Sequence, residues 1–311
     1  MRAILIGFVV TCLSSTAGQG ASVTFTPHDV FHIPFGEARE TLGTAVADGN
    51  FQYPRDFTLD GAGRVYIFDT QKHRVARFSA DGTYEIGFAY PATARQVFAH
   101  ADSHENLWLL ISDPIHGLYY GVYDPAGKRL RDGIFSQYDH FRIYLDNDSV
   151  MHMILSSTQN RTPARTYIFH EPSLRMKKVD IALPPEDHHQ LQKNDRTYFI
   201  DAVPGASGHG TPSVQRITDT SHRPVAQIKG DVIYITSAGE IYTRIGDCQI
   251  NVYEPGGSLK GTVTLPGLPS ACEAIRFDAA GTIYELDGIP DASQHYTPQM
   301  TGMRLLRWER Q

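Results

Sequence analysis

The chain has 311 residues, with 28 Lys and Arg against 34 Asp and Glu and a formal net charge of −6. That balance argues against a general nucleic-acid binder, which presents a basic face, and no run of charge marks a membrane anchor. A composition of 41% hydrophobic and 20% charged residues, with 27 Gly, 18 Pro and 16 Tyr, fits a globular, all-β protein.

In chain order, Met1-Arg2 is a short positive start, Ala3 to Leu13 an apolar run, and Ser15-Thr16-Ala17 a small-x-small cleavage signal. Residues 1–17 therefore read as a secretory signal peptide. The apolar run is too short to cross a bilayer, which takes about 20 residues, and no later run is long enough. The expected mature protein is soluble, periplasmic or extracellular, and monomeric. Cys12 fits lipidation poorly, because Thr11 stands where Gly, Ala or Ser is usual. Asp29 to Phe35 is strand-like but has no hairpin partner nearby.

Tyr53 to Tyr90 holds one complete structural unit. Phe57 to Asp60 is an apolar strand ended by the turn Asp60-Gly61-Ala62-Gly63, whose glycines accept the positive φ of a tight reversal. Val65 to Phe68 is β-branched and aromatic on both faces, as a middle strand buried on two sides requires. Arg74 to Phe78 follows, then the turn Ala80-Asp81-Gly82, then the more polar Tyr84 to Phe88, suited to an outer edge. A sheet of this kind cannot cover its own faces and needs neighbours like itself.

The second strand serves as a marker for those neighbours, recurring at Trp108, Met151, Tyr198, Tyr242 and Tyr284 after Tyr66, at steps of 42 to 47 residues. Four strands in a period of the low forties predict a propeller blade. Third strands keep phase at Val75 to Phe78, Tyr119 to Tyr123, Thr166 to Phe169, Val214 to Ile217, Ile250 to Tyr253 and Arg304 to Trp308. The sixth repeat ends after its third strand, so Asp29 to Phe35 is expected to supply the fourth and close the ring. The predicted fold is a single six-bladed β-propeller over residues 18–311, with four-stranded antiparallel blades and an N-terminal closing strand.

Phe68-Asp69-Thr70-Gln71-Lys72-His73-Arg74-Val75, followed by Arg77-Phe78-Ser79-Ala80-Asp81-Gly82, resembles the NHL repeat of bacterial six-bladed propellers. Lys72 stands where that pattern usually has Asn, and the repeats around Met151 and Tyr198 lack the signature. The resemblance implies a scaffold shared by binding modules, lyases and lactonases rather than one reaction.

In such a ring the starts of the first strands converge on one rim. Aligning repeats on their markers puts Arg55, Val97, His140, Asp187, Asp231 and Glu273 at one level, with Asp56, Phe98, Phe141, His188, Val232 and Ala274 one residue further in. Asp187, Asp231, Glu273 and His140 form a donor set for a divalent metal, with Arg55 to orient an anionic group. The same residues also read as a solvated ring of ion pairs. After signal removal two cysteines remain, Cys248 and Cys272, each at the start of a strand on the same rim; they read as a disulfide or as two separate thiols.

Asp69, Asp201 and Asp287 share one repeat position, which reads as a turn cap, since a capping need recurs in every blade and an active site does not. His100 and His104 lie on strand and turn, where their spacing aligns no metal ligands. Asn147-Asp148-Ser149 and Asn160-Arg161-Thr162 match the glycosylation sequon, and no phosphate loop or nucleophile elbow occurs. The expected function is binding of a small molecule or protein at the channel mouth, the alternative a metal-dependent hydrolase or lyase of the lactonase-like type.

Overall fold

The computed structural model describes residues 25–311 apart from 48–49, 55, 95, 103, 136–139, 146–150, 157–164, 171–172, 180–187, 194–195, 203–213, 219–222, 237, 246–248, 265–274, 279–280 and 292–299. A long strand, β1 (Phe25–Pro34), and a small hairpin, β2 (Ala45–Ala47) with β3 (Asn50–Gln52), precede the first sheet. That sheet is β4 (Phe57–Leu59), β5 (Val65–Asp69), β6 (Arg74–Phe78) and β7 (Tyr84–Ala89). The second is β8 (Gln96–Ala101), β9 (Leu107–Asp113), β10 (Gly117–Tyr123) and β11 (Arg129–Phe135). The third is β12 (His140–Leu145), β13 (Met151–Ser156), β14 (Arg165–His170) and β15 (Arg175–Val179). The fourth is β16 (His188–Lys193), β17 (Arg196–Ala202), β18 (Val214–Thr218) and β19 (Pro224–Lys229). The fifth is β20 (Asp231–Ile235), β21 (Ile241–Ile245), β22 (Gln249–Tyr253) and β23 (Leu259–Thr264). The chain ends with β24 (Ile275–Phe277), β25 (Ile283–Pro290) and β26 (Met300–Arg310), beside which β1 completes a sheet of order β1-β26-β25-β24.

Among the described residues there are thus six four-stranded antiparallel sheets, each running in simple up-and-down order. The turns follow the expected chemistry: the Gly82 and Gly127 amides close turns on the carbonyls of Ser79 and Asp124 at 2.9 and 2.8 Å, both glycines at φ 84°. Only glycine adopts that backbone without strain. At the matching point of the first turn of the second sheet stands Glu105, φ 63°, whose amide bonds the Asp102 carbonyl at 3.0 Å.

Burial explains the packing. On β5, Val65 and Ile67 join Leu286, Met303 and Leu305 of the last sheet in one cluster, whereas Tyr66 and Phe68 join Leu107, Leu109 and Ile111 of the second. Trp108 and Leu110 of β9 in turn pack on Met153 and Leu155 of the third sheet. Ile217 and Ala226 pack on Ile235 and Ile241, and Tyr242 and Ile250 on Ile283, Leu306 and Trp308. Each of these clusters lies between consecutive sheets, and first strands of neighbours touch, β24 with β4, β4 with β8 and β12 with β16. Sheets buried on both faces by like sheets define a β-propeller.

β1 begins at Phe25, four residues earlier than the expected Asp29, and pairs antiparallel with β26 from Phe25↔Arg310 to Pro34↔Gly302, with a bulge between Asp29 and Phe31. The ring of Phe31 lies 6.3 Å from that of Phe78 and fills the space where a Cβ on Gly82 would sit, 2.4 Å away. Among the described residues no helix is long and apolar enough to cross a membrane.

Candidate functional site

Where the first strands of the last and first sheets, β24 and β4, run side by side, Asp56 comes together with a partner absent from the expected constellation. Asp56 immediately precedes β4; its carbonyl accepts the Phe68 amide at 3.0 Å and its carboxylate the Phe57 amide at 2.8 Å. The same carboxylate is ion-paired with Arg276 of β24. Arg276 also donates from Nε to the Phe57 carbonyl at 2.9 Å and from Nη1 to its neighbour Ile275 at 2.7 Å, with its guanidinium 5.9 Å above the Phe57 ring. Burial pushes the Asp56 carboxyl above its ordinary pKa, against the opposing pull of Arg276. Arg276 was missed because the repeat alignment counted only two residues inward from the rim, and it lies two beyond Ala274.

Hairpin registers relocate several of the other candidates. In the first sheet the Asp56 level faces Phe68, one residue short of Asp69 at the end of β5. Phe98 lies opposite Leu110, as expected for that level. In the third sheet Met153 and Leu155 pack toward the second sheet, as Val65 and Ile67 pack toward the last, so the marker there is His152 rather than Met151. Phe141, opposite Leu155, therefore takes the outer level assigned to His140, and Arg142 the inner one. In the fourth sheet His188 faces Asp201 and takes the place assigned to Asp187. In the fifth, Asp231 faces Arg244 and reaches the Asp56 level, with the register shift between Val232 and Tyr234 accommodating the extra residue Ile233. These one-residue corrections have separate causes: in the third sheet the marker itself is one residue later, in the fourth the loop between β16 and β17 is shorter than in the other sheets, and in the fifth a bulge adds a residue that periodicity cannot see.

Asp231 is exposed at the start of β20, and the next amide, Val232, donates to Gln215 Oε1 at 3.0 Å. Arg55, Asp187, Glu273, Cys248 and Cys272 lie outside the described residues, and of His140 and His188 the backbone alone is described. Among the described residues no three His, Cys, Asp or Glu side chains gather as a metal site.

The residues that carry the NHL resemblance clasp the segment before β2. Asp69, fully buried, accepts the Gly43 amide at 3.1 Å and the Lys72 amide at 3.3 Å on Oδ1 and the Arg74 Nε at 3.1 Å on Oδ2. Lys72 Nζ donates to the carbonyls of Ala38 and Thr41 at 2.6 and 2.9 Å, and Arg74 to those of Arg39 and Thr41, both at 2.6 Å. Burial lowers the Lys72 pKa, with Arg74 adding to the effect. Asp69 does cap its turn, and both it and Asp287 pair with the arginine opposite them across the hairpin, Arg74 and Arg304; in register Asp201 stands opposite Arg216. Arg304 binds Asp287 from Nη2 and Nε at 2.7 and 3.0 Å.

Two residues upstream of Asp287, Glu285 is fully buried beside Trp308, a member of the cluster between the fifth and last sheets. Trp308 Nε1 donates to its Oε2 at 3.0 Å, and its Oε1 has no hydrogen-bond partner among the described residues. Burial first, then the Asp287 charge, pushes its pKa up to about 7. In the sequence it stood only as part of a strand marker; a carboxylate at a position that is Ile67 in the first sheet was the available signal.

No family model and no curated protein matches the chain. Among solved structures it is similar to a catalytically inactive virginiamycin B lyase from Staphylococcus aureus with quinupristin, at TM-score 0.45 and 11% identity over 92% of this chain and 99% of that one. It is also similar to a luciferin-regenerating enzyme, at TM-score 0.46 and 13% identity over 82% and 90%, and to the Dos1 propeller, at 0.40 and 9% over 86% and 81%. At this level of similarity the likenesses carry nothing about the chemistry of this chain.

Proposed function

We propose that the protein is an exported six-bladed propeller, NHL-like in its first blade, whose ring is completed by β1 and whose channel mouth binds a small molecule or a protein. The observation that carries this reading is the Asp56–Arg276 pair: residues 220 apart in the sequence bring opposite charges together where two first strands enter. A half-buried charge pair at the end of adjacent strands offers a polar ligand both an acceptor and a donor, and a ring delivers such groups from several blades to one place. The exposed Asp231 stands at the same level of the fifth blade.

The test is a thermal-shift screen of the mature protein against small polar molecules and peptides. Compounds that raise Tm in the wild type and not in Asp56→Asn support the reading; a full panel without such a compound sinks it. Metal analysis of the same preparation separates binding from metal-dependent hydrolysis or lysis. One tightly held divalent ion, lost on Asp231→Ala and on Glu273→Ala, would replace the binding module with an enzyme. Export to an oxidising compartment would join Cys248 to Cys272, and the denatured mature protein would then titrate no free thiol.

A further inference from the structure

Away from the channel mouth, the outer strand of the first sheet and the facing side of the second enclose a cavity of about 320 Å³, the size of a small-ligand site. His116 of its lining is positioned from behind by Asp113, buried at the end of β9, which accepts Thr93 Oγ1 at 2.7 Å and the Ile115 amide at 2.7 Å and contacts His116 Nδ1 at 3.2 Å. These hydrogen bonds hold the Asp113 carboxyl well below the usual range in spite of its burial.

On β10, Tyr119, Gly121 and Tyr123 share the face turned toward the first sheet. Gly121 is required there: a Cβ would come 2.9 Å from the Tyr123 ring, which lies back across the strand and meets Phe88 edge-on at 5.2 Å. Leu109 and Ile111 supply an apolar wall, while Arg129 and Asp132 of β11 form an exposed pair at 3.4 Å. Neither the Tyr119 nor the Tyr123 hydroxyl has a hydrogen-bond partner among the described residues. Burial pushes the Tyr119 pKa up to about 12, so its phenol keeps its proton, able to donate and to accept.

We infer that this inter-sheet cavity is a binding site for a neutral carbohydrate ring. A sugar presents an apolar C–H face, which suits the tyrosine rings and the Leu109–Ile111 wall, and adjacent hydroxyls, which suit the acceptor Asp132 beside the donor Arg129. Asp132 disfavours an anion, Arg129 disfavours a cation, and a wholly apolar ligand would leave the two phenols and the charged pair unused.

The experiment is saturation-transfer NMR on the mature protein with the methyl glycosides of glucose, galactose, mannose and N-acetylglucosamine at millimolar concentration. Transfer to ring protons of at least one glycoside is expected. Its affinity should fall about tenfold or more in the double variant Asp132→Asn/Tyr119→Phe, at unchanged Tm, and remain at the wild-type value in Asp56→Asn. Absence of transfer from all four glycosides, wild-type affinity in the double variant, or loss in Asp56→Asn would overturn the assignment. The Asp56→Asn arm keeps this site distinct from the channel mouth.

Discussion

Glu285 shows how one residue can set a pH dependence for the whole fold. A carboxyl whose pKa is about 7 in the folded protein and 4.5 in its ordinary state binds more protons folded than unfolded between those values. Stability is then fully present below about pH 4.5, falls as pH rises toward 7, and levels off above it. The change is on the order of 3 kcal/mol, since each pKa unit is worth about 1.4 kcal/mol. Glu285→Gln keeps an acceptor for Trp308 and removes the titration, so its unfolding free energy, measured by urea titration from pH 4 to 8, should lack this descent. Equal pH profiles for the two proteins would show that Glu285 does not titrate in that window.

The clasp around the segment before β2 works at the scale of elements. Asp69 and Arg74 are both buried, and each also binds that segment, so β5, β6 and the approach to β2 are held by one network. Removing one member of a buried charge pair costs about 3 to 5 kcal/mol, because the other is left without compensation. Asp69→Ala should therefore lower the denaturation midpoint sharply and speed proteolysis of residues 36–43. Lys72→Ala, which removes only bonds from the partly exposed Lys72 to Ala38 and Thr41, should cost about 1 kcal/mol. Equal losses in the two variants would show that the buried Asp69–Arg74 pair carries no more of the clasp than the Lys72 bonds do. Gly43 is part of the same arrangement: a Cβ there would meet Gln71 at 2.8 Å and Lys72 at 2.9 Å.

For the whole molecule the decisive element is β1. It pairs with β26 over nearly its full length and buries Phe31 and Ile33 in the cluster shared by the last and first sheets. Deleting residues 22–36 would strip the outer strand from one sheet and apolar surface from another, so cooperative unfolding should be lost. A truncated protein with an unchanged melting curve would show that β1 is dispensable.

The strands of the first sheet, the phase of the third strands and the pairing of the N-terminal segment with the last sheet could all be read from the sequence. Each depends on alternation, turn residues and a repeat period, which are local signals. The levels of His140, Asp187 and Asp231 could not, because a marker displaced by one residue, a change in loop length or a bulge each shifts a level by one residue with little effect on the period. Arg276 beside Asp56, the Asp69–Arg74 clasp and the buried Glu285 were equally invisible, since each depends on which side chain a neighbouring strand presents. A repeat determines that sheets form and stack; which charges then meet is decided only when chain segments far apart in sequence are brought to contact distance in the folded propeller.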